Sequence, residues 1–386
     1  MDTFDCNENT IQVTDFRLLS DLPELFTFEN GERVVTASDW EKRRKEIFKT
    51  AVALQYGTIP PAPDRVEVEQ IYEGHNLRAQ YRIRAIVGDR TVDFLLNLFL
   101  PQGVKNPPVV VDGDLCFGYA YDKAFIDAFT ANGVALAMFN RCELAHDISA
   151  ERTRTGQLYA AYPEYTFGAI GAWAWGYSRV VDALENIGGY DPACVAFTGH
   201  SRGGKTAMLA GVLDERAAIV CPNETNCGSC GCYRIHMRAK TEDGDERRSE
   251  TLADMSKNFP EWLGPQMKDY AEKEGELPFD CHFLKALVAP RTLIVAEAAS
   301  DIWTNPVGSW ITSLAAKKVW KLLGKEENLL WYFRKGYHSH KIEDLMMLVS
   351  VIKAKTEGRP VDTSDFFNPP FRTADYEAIN KQEPVR

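Results

Sequence analysis

One segment of the chain reads Val195-Ala-Phe-Thr-Gly-His-Ser-Arg-Gly-Gly-Lys205. Its first half is apolar and partly β-branched, as in a buried strand, and helix-forming residues follow from Lys205 to Leu213. Between them lies Gly-x-Ser-x-Gly, the pattern of a nucleophile elbow when a strand precedes it and a helix follows. The flanking positions must be small because the turn is strained and a Cβ atom there would collide with its neighbours. The segment therefore predicts a nucleophilic Ser201; the alternative is a chance turn after a buried strand.

Size and charge narrow the class of protein. The chain has 386 residues, 45% of them hydrophobic and 26% charged, which is an ordinary globular composition. The net charge of -11 argues against nucleic acid and anionic membranes as partners, and no apolar run reaches the roughly 18 residues of a membrane span. The first residues show no leader pattern, which predicts a cytoplasmic protein, or a secreted one if a leader has been removed. No protein partner is predicted.

Nine cysteines bear on disulfides and metals. An odd number leaves at least one free thiol, and several lie in core-like segments, which favours a reducing compartment. The cluster Cys227-Gly-Ser-Cys230-Gly-Cys232 could supply three thiolates to zinc or to an iron–sulfur cluster, but no second cysteine pair completes the set. We therefore expect a loop of small residues near the active site here, with no metal and no other cofactor.

Apolar segments follow one another in the order of an α/β protein. Two alternating segments at 64–73 and 78–86 predict a hairpin, and a third strand follows at 92–100. Short apolar runs then alternate with helix-like segments from about residue 105 to 350, which predicts strands buried on both faces of a parallel sheet. These runs lie at 108–112, 133–139, 195–200, 217–222, 291–297 and 328–334, with helices at 121–131, 168–187 and 205–213.

This order predicts an α/β-hydrolase fold: a mostly parallel, doubly wound sheet in a three-layer sandwich, with antiparallel strands at its N-terminal side. We expect one catalytic domain at 64–355, preceded by an extension at 1–63 and followed by a surface tail at 356–386. In the extension a helix is predicted from Asp39, with Ser38 as its N-cap, and Pro60 ends it.

A serine nucleophile needs a base, and the base needs an acid that orients it. In α/β-hydrolases the acid and then the histidine follow the serine along the chain, with the histidine in the loop after the last strand. We favour His338 over His340 for the base, since it lies nearer the strand end and follows Gly336. Two acids compete: Asp301 follows the penultimate strand, and Glu224 follows the strand before it.

Two cations flank the serine. The backbone N–H of Arg202 and one from the loop at 112–117 are expected to form the oxyanion hole, to which the Arg202 side chain could add positive charge. Lys205 lies in the first turn of the elbow helix, where a cation opposes the helix dipole. A substrate carboxylate would explain that placement, and the alternative is a solvated lysine.

The segment Gly199-His-Ser-Arg-Gly-Gly-Lys205 resembles the G-C-S-R-x-G-K signature of glucuronoyl esterases, carbohydrate esterase family 15. Members of that family are α/β-hydrolases that cleave esters between 4-O-methyl-glucuronic acid on xylan and lignin alcohols. His200 stands where the family usually has cysteine. Three further segments of the chain also resemble stretches of that family: Cys221-Pro-Asn-Glu224-Thr-Asn-Cys-Gly228, Asp301-Ile-Trp303-Thr-Asn-Pro306 and Gly336-Tyr-His338.

The resemblance implies a serine esterase that hydrolyses 4-O-methyl-glucuronoyl esters of plant cell-wall xylan through an acyl-enzyme, with a carbohydrate ester as its partner. One alternative is an acetyl xylan esterase or another carbohydrate deacetylase, and another is a non-catalytic carbohydrate-binding protein on a hydrolase fold. The roles that the resemblance implies are the nucleophile Ser201, the base His338, the acid Glu224 with Asp301 assisting, the oxyanion-hole residue Arg202, and the sugar contacts Lys205 and Trp303.

Overall fold

A computed structural model describes residues 11–74, 77–148, 154–241, 243–376 and 379 of the chain. Its centre is a nine-stranded sheet, and a three-stranded antiparallel sheet is separate from it. The strands are β1 (Gln12–Leu18), β2 (Arg65–Glu73), β3 (Arg78–Val87), β4 (Arg90–Phe99), β5 (Val109–Asp112), β6 (Ala135–Phe139), β7 (Val195–His200), β8 (Ala217–Asn223), β9 (Ile235–Lys240), β10 (Glu246–Arg248), β11 (Thr292–Ala298) and β12 (Leu329–Arg334).

The large sheet has the order β12-β11-β8-β7-β5-β6-β4-β3-β2. Pairing is parallel from β12 to β6 and antiparallel from β6 to β2. The helices are α1 (Ala37–Ile47), which continues through a π-helical turn (Phe48–Val52) into α2 (Ala53–Tyr56), then α3 (Lys123–Thr130), α4 (Gln157–Ala161), α5 (Ala169–Ile187), α6 (Arg202–Leu213), α7 (Leu252–Asn258), α8 (Cys281–Ala286), α9 (Pro306–Leu322) and α10 (Ile342–Thr356).

Both faces of the central strands are buried, because successive side chains point into two different apolar clusters. Val109 and Val111 of β5 face the cluster that holds α5, α6 and α9, whereas Val110 faces the cluster that holds α3 and α10. This arrangement explains why the central strands are continuous apolar runs. The α/β-hydrolase fold predicted from the sequence is confirmed, and the predicted strands and helices from 64 to 334 lie within a few residues of their expected bounds.

The first helix corrects one detail of the prediction. Its N-cap is Thr36, not Ser38: the Thr36 hydroxyl accepts a hydrogen bond from the Asp39 N–H, and the Asp39 carboxylate accepts one from the Thr36 N–H. This reciprocal capping box satisfies two backbone donors, which a cap at Ser38 would not do. The helical run ends at Gly57, before Pro60, as expected.

The small antiparallel sheet was not predicted. Its central strand β9 pairs with β1, more than two hundred residues earlier in the chain, and with β10, a few residues later. The pairing of β1 with β9 has no local sequence pattern, because the two strands are so far apart along the chain. The division of the chain into an extension, a domain and a tail stays a prediction.

The cysteines that the structure describes are all free thiols, and most of them are buried. Among the described residues, no helix is long and apolar enough to cross a bilayer. The cellular compartment stays a prediction.

The elbow after β7 is a tight turn. Ser201 has φ 57° and ψ -119°, a conformation that side chains rarely adopt, and its N–H donates to the carbonyl of Asn223 at 2.9 Å. A Cβ atom at Gly199 would lie 2.6 Å from the carbonyl oxygen of Gly203, and one at Gly203 would overlap the carboxylate of Asp114. Glycine is therefore required on both sides of the serine.

We expect Gly199→Ala to lower the free energy of unfolding by about 2 kcal/mol, because the added methyl group meets backbone that cannot rotate away. Urea denaturation followed by circular dichroism measures the loss. The matched control is Gly275→Ala, where the nearest atoms to a new Cβ are 3.4 Å away. Equal stability of the two variants would contradict the steric explanation.

Candidate active site

Four loops at the carboxyl edge of the parallel strands bring the candidate residues together. Ser201 follows β7, Glu224 follows β8, Asp301 follows β11 and His338 follows β12. Sites in open α/β sheets form at this edge because neighbouring parallel strands all end there. The order of β12, β11, β8 and β7 in the sheet makes these four loops neighbours in space.

His338 is held by both acidic candidates. Its Nδ1 atom lies 2.6 Å from Oδ2 of Asp301 and 3.2 Å from Oε2 of Glu224. Both carboxylates are buried, whereas the His338 side chain is 40% exposed. The two acids that compete in the sequence therefore share one nitrogen of the same imidazole.

His340 packs against the rings of Phe125 and His200 and is not a comparable base. Its ring packs edge-on against Phe125, with 5.4 Å between centroids, and burial together with the charge of Arg334 lowers its pKa to about 3. Burial also lowers the pKa of His338, but the hydrogen bonds to Asp301 and Glu224 outweigh it and raise that pKa above its ordinary value. The structure thus brings His338, rather than His340, to the carboxylates.

Arg334, which the sequence did not single out, joins the acid to the histidine loop. This last residue of β12 donates to Oε1 of Glu224 and, through Nε, to the two oxygens of Asp344 at 2.9 and 3.0 Å. It also donates to the carbonyls of Tyr337 and Ser339, and the Ser339 N–H donates to Oε2 of Glu224 at 2.8 Å. An arginine at a strand end has no sequence signature that separates it from a solvated one, so only the fold reveals this role.

The Arg202 side chain is already paired. Its Nη1 atom lies 3.1 Å from each carboxylate oxygen of Asp147, and its guanidinium stacks 4.7 Å from the ring of Trp262 and 5.1 Å from that of Phe259. Its backbone N–H lies in the first turn of α6, where N–H groups have no acceptor within the helix. The backbone group, rather than the side chain, is thus the simpler donor to an oxyanion.

Lys205 is neither solvated nor waiting for a substrate anion. Its Nζ atom is buried and donates to Oε2 of Glu250 at 3.0 Å and to the carbonyl of Cys227 at 2.7 Å. Glu250 therefore supplies the anion that offsets a cation at the N-terminus of α6, and neither sequence interpretation of Lys205 describes this arrangement. Glu250 was missed because it lies on a connecting segment with no motif around it.

Trp303 lies beside this buried ion pair. Its carbonyl accepts hydrogen bonds from the Glu250 N–H at 3.0 Å and from Nδ2 of Asn226 at 2.8 Å. Its side chain is 38% exposed, and the guanidinium of Arg248 covers one face at 5.4 Å from the ring centroid. The ring of Trp303 is therefore partly open to solvent, while its backbone is bound to Glu250.

The loop after β5 lies against the elbow, as expected, and Asp114 accepts a hydrogen bond from the His200 N–H at 2.7 Å. Many of its backbone N–H groups already have acceptors, so fewer of them than expected could bind an oxyanion. The donors bonded within the protein are Gly113, Asp114, Leu115 and Phe117.

The cysteine cluster is a buried loop whose carbonyl at Cys227 binds Lys205. Its three thiols contact separate partners: the Glu250 carbonyl at Cys227, the Ser229 hydroxyl at Cys230 and the Asp280 carboxylate at Cys232. In the part of the chain that the structure describes, these thiols do not converge closely enough to share an ion. The geometry does not support the metal alternative for this segment.

The strand order of the large sheet, together with a serine elbow and a histidine bound by carboxylates at the same sheet edge, defines the protein as an α/β-hydrolase. Residues 83–324 match the family model described as "Glucuronyl esterase, fungi". The chain is 32% identical to the 4-O-methyl-glucuronoyl methylesterase of Schizophyllum commune over 327 residues, 83% of this chain and 78% of the relative. It is 32% identical to the enzyme of the same name from Podospora anserina over 324 residues, but spans only 63% of that relative's length. The chain belongs to the glucuronoyl esterase family.

Solved structures agree with this assignment. A carbohydrate esterase family 15 glucuronoyl esterase from Caldicellulosiruptor kristjansonii matches with a TM-score of 0.78 and 29% identity, over 92% of this chain and 97% of that one. A variant of the glucuronoyl esterase from Sporotrichum thermophile, in complex with methyl 4-O-methyl-β-D-glucopyranuronate, matches with a TM-score of 0.72 and 26% identity, over 90% of this chain and 91% of that one.

We expect Asp301→Asn to lower the pKa of His338 by at least about one unit, because a negative charge that favours the imidazolium is removed. NMR titration of the imidazole resonances, assigned with His338→Asn, measures the change. The control Glu67→Gln, on the edge strand β2, removes a distant carboxylate and leaves the titration as it is. An unaltered pKa in Asp301→Asn would show that this carboxylate does not act on the ring.

Arg334→Gln is expected to lower the free energy of unfolding by about 3 kcal/mol or more, since Glu224 and Asp344 would be left buried without a cation. Chemical denaturation measures the loss. Arg65→Gln is the control, because its ion pair with Glu67 is exposed and contributes less than about 1 kcal/mol. If both variants lost the same free energy of unfolding, the buried ion pairs of Arg334 would stabilise the protein no more than the exposed pair of Arg65.

Proposed function

We propose that this protein is a serine carboxylesterase that hydrolyses 4-O-methyl-glucuronoyl esters of xylan. The observation that carries the proposal is the imidazole of His338, held at Nδ1 by Asp301 and Glu224 at the same sheet edge as the elbow serine Ser201. Membership of the glucuronoyl esterase family supports the substrate class, as does a family member's complex with a methyl glucuronate ester.

Ser201 is the nucleophile in the proposed reaction. With Nδ1 of His338 engaged by carboxylates, Nε2 is the ring nitrogen that takes the Ser201 hydroxyl proton as Oγ adds to the ester carbonyl carbon. The same nitrogen returns the proton to the leaving alcohol as the tetrahedral intermediate collapses to an acyl-enzyme. A water molecule, deprotonated by His338, then attacks the acyl carbon and releases the uronic acid and Ser201.

Glu224 and Asp301 act on His338 in two ways. They fix the orientation of the ring, and their charges stabilise the imidazolium that forms when the ring accepts the proton. Because Glu224 is also bound by Arg334 and the Ser339 N–H, its position is fixed by three partners. Asp301 makes the shorter contact with the ring, so we propose that it and Glu224 together act as the acid that orients His338.

The oxyanion is stabilised by backbone in this proposal. The N–H of Arg202 lies at the N-terminus of α6, where helix N–H groups and the helix dipole both favour negative charge. The positive charge of the Arg202 guanidinium is largely balanced by the Asp147 carboxylate, so the side chain adds little to the stabilisation of the oxyanion. Its main effect is to hold the first turn of α6 in place.

The sugar is proposed to lie against Lys205, Glu250 and Trp303. A pyranose has apolar C–H faces and polar edges, which suit an exposed aromatic ring beside a charged pair. Trp303 offers such a ring, and Lys205, whose ammonium has a third N–H besides those that bond to Glu250 and Cys227, offers a donor to a hydroxyl group. These groups would contact the acyl part of the ester rather than the alcohol.

Benzyl glucuronate and p-nitrophenyl acetate distinguish the candidate activities. We expect the protein to hydrolyse the glucuronate ester, and Ser201→Ala to lower that rate by about 10⁴-fold or more, because the nucleophile is removed. Initial-rate assays by chromatography measure both. The control is Ser350→Ala on α10, whose hydroxyl only bonds to the carbonyl of Met347.

The alternatives make different predictions in the same assay. Fast acetate release without turnover of the glucuronate ester would favour a carbohydrate deacetylase. Turnover of neither ester, with retained binding of glucuronoxylan fragments, would favour the non-catalytic alternative. Unchanged activity in Ser201→Ala would remove the mechanism altogether.

A further inference from the structure

Three side chains with metal-binding atoms converge beside the elbow. One ligand atom from each of His200, Glu224 and His338 lies within 4.8 Å of the other two. The two imidazole rings are 4.5 Å apart between centroids and tilted by 44°. Among the residues that the structure describes, no other group of three histidine, cysteine or acidic side chains converges this closely. Two imidazoles and a carboxylate form a donor set that suits zinc and similar divalent transition metals.

His200 is oriented as a metal ligand. Its Nδ1 atom lies 2.7 Å from Oδ1 of Asn223, and an amide oxygen only accepts, so with the amide assigned in this orientation Nδ1 carries the proton and Nε2 carries the lone pair. Histidines that bind metals are usually anchored in this way through the second nitrogen.

The carboxylate is anchored as well. Oε1 of Glu224 is bound by Arg334, while Oε2 faces Nδ1 of His338 at 3.2 Å. Asp301 adds a second negative charge at the same nitrogen, and the charge of Arg334 is already shared with Asp344. Glu224 and Asp301 thus place two carboxylates beside one guanidinium whose charge Asp344 also shares, and this surplus of negative charge favours a dication.

We propose that these three residues bind one Zn²⁺ ion, or a similar divalent transition metal, and that the bound ion inhibits the hydrolase. The ion takes the place of the proton on Nδ1 of His338, and the neutral ring then carries its one proton on Nε2. Ligands about 2.1 Å from a tetrahedral zinc lie roughly 3.4 Å apart. Nδ1 of His338 and Oε2 of Glu224 are already 3.2 Å apart, so binding requires only that the spacing to His200, which is at most 4.8 Å, closes by up to about 1.4 Å. Water or Asp301 completes the coordination.

Inhibition follows from the base. An imidazole that binds a dication through Nδ1 carries its proton on Nε2, so it has no lone pair there with which to take the proton of Ser201. The inhibitory part of the proposal rests on the function proposed above, whereas the binding part rests only on the geometry of His200, Glu224 and His338.

Binding is measured first, without turnover. The full chain, stripped with EDTA and desalted, competes for Zn²⁺ with a chromophoric chelator. We expect one ion per chain with a Kd in the micromolar range. His200→Ala and the ring-preserving His200→Phe should each weaken binding at least tenfold, while His236→Ala on the small sheet should not. Binding as tight in both folded His200 variants as in the parent chain would overturn the site, as would a Kd for Zn²⁺ weaker than about 100 μM in the parent chain.

Inhibition is measured next, with whichever of benzyl glucuronate and p-nitrophenyl acetate the protein hydrolyses faster, as the ratio of rates with and without Zn²⁺. The half-inhibitory concentration should agree with the Kd from the chelator, EDTA should restore the rate, and Mg²⁺ at the same concentration should have no effect. In the His200 variants that concentration should rise at least tenfold. Zinc that binds without slowing turnover would overturn the inhibition, whereas a protein with no esterase activity would refute the proposed function and leave the binding result standing.

Discussion

The buried ion pair between Glu224 and Arg334 links the parts of the site. A carboxylate with no solvent contact is unstable unless charged and polar partners surround it, and Arg334 supplies the charge. The same guanidinium holds the carbonyls of the loop that carries His338, and that loop returns a backbone N–H to Glu224. The ends of β8 and β12 are thereby fixed to each other, so the acid and the histidine form one unit rather than two independent loops.

Cations around the serine are matched by anions of the protein itself. Lys205 has Glu250, Arg202 has Asp147, and the fully buried Arg141 has Asp114. The arginine and lysine side chains around the serine therefore leave little unbalanced positive charge in the site. Selectivity for a uronic ester, in our interpretation, comes from oriented donors and an exposed aromatic ring, and not from attraction of a free carboxylate.

Two acids at one imidazole nitrogen distinguish this site from the simplest Ser-His-acid arrangement. One carboxylate is enough to orient a ring, so the second changes its electrostatics: it makes the imidazolium more stable and the ring a stronger base. The same surplus of carboxylates, next to the unusual His200, is what makes the site attractive to a divalent metal. Basicity and metal affinity therefore have a common physical origin in this protein.

Local sequence predicted the elbow, the long strands and helices, and the strand ends that carry Ser201, His338 and the two candidate acids, because turn geometry and hydrophobic periodicity act over a few neighbouring residues. It did not reveal the sheet of β1, β9 and β10, the role of Arg334, or the Lys205–Glu250 pair. Each of these joins residues far apart along the chain, and a charged residue looks the same in sequence whether it is solvated or buried. Only the tertiary structure determines which charged side chains are buried away from water, and those side chains are stable only in contact with opposite charges. The ion pairs of the site follow from this requirement.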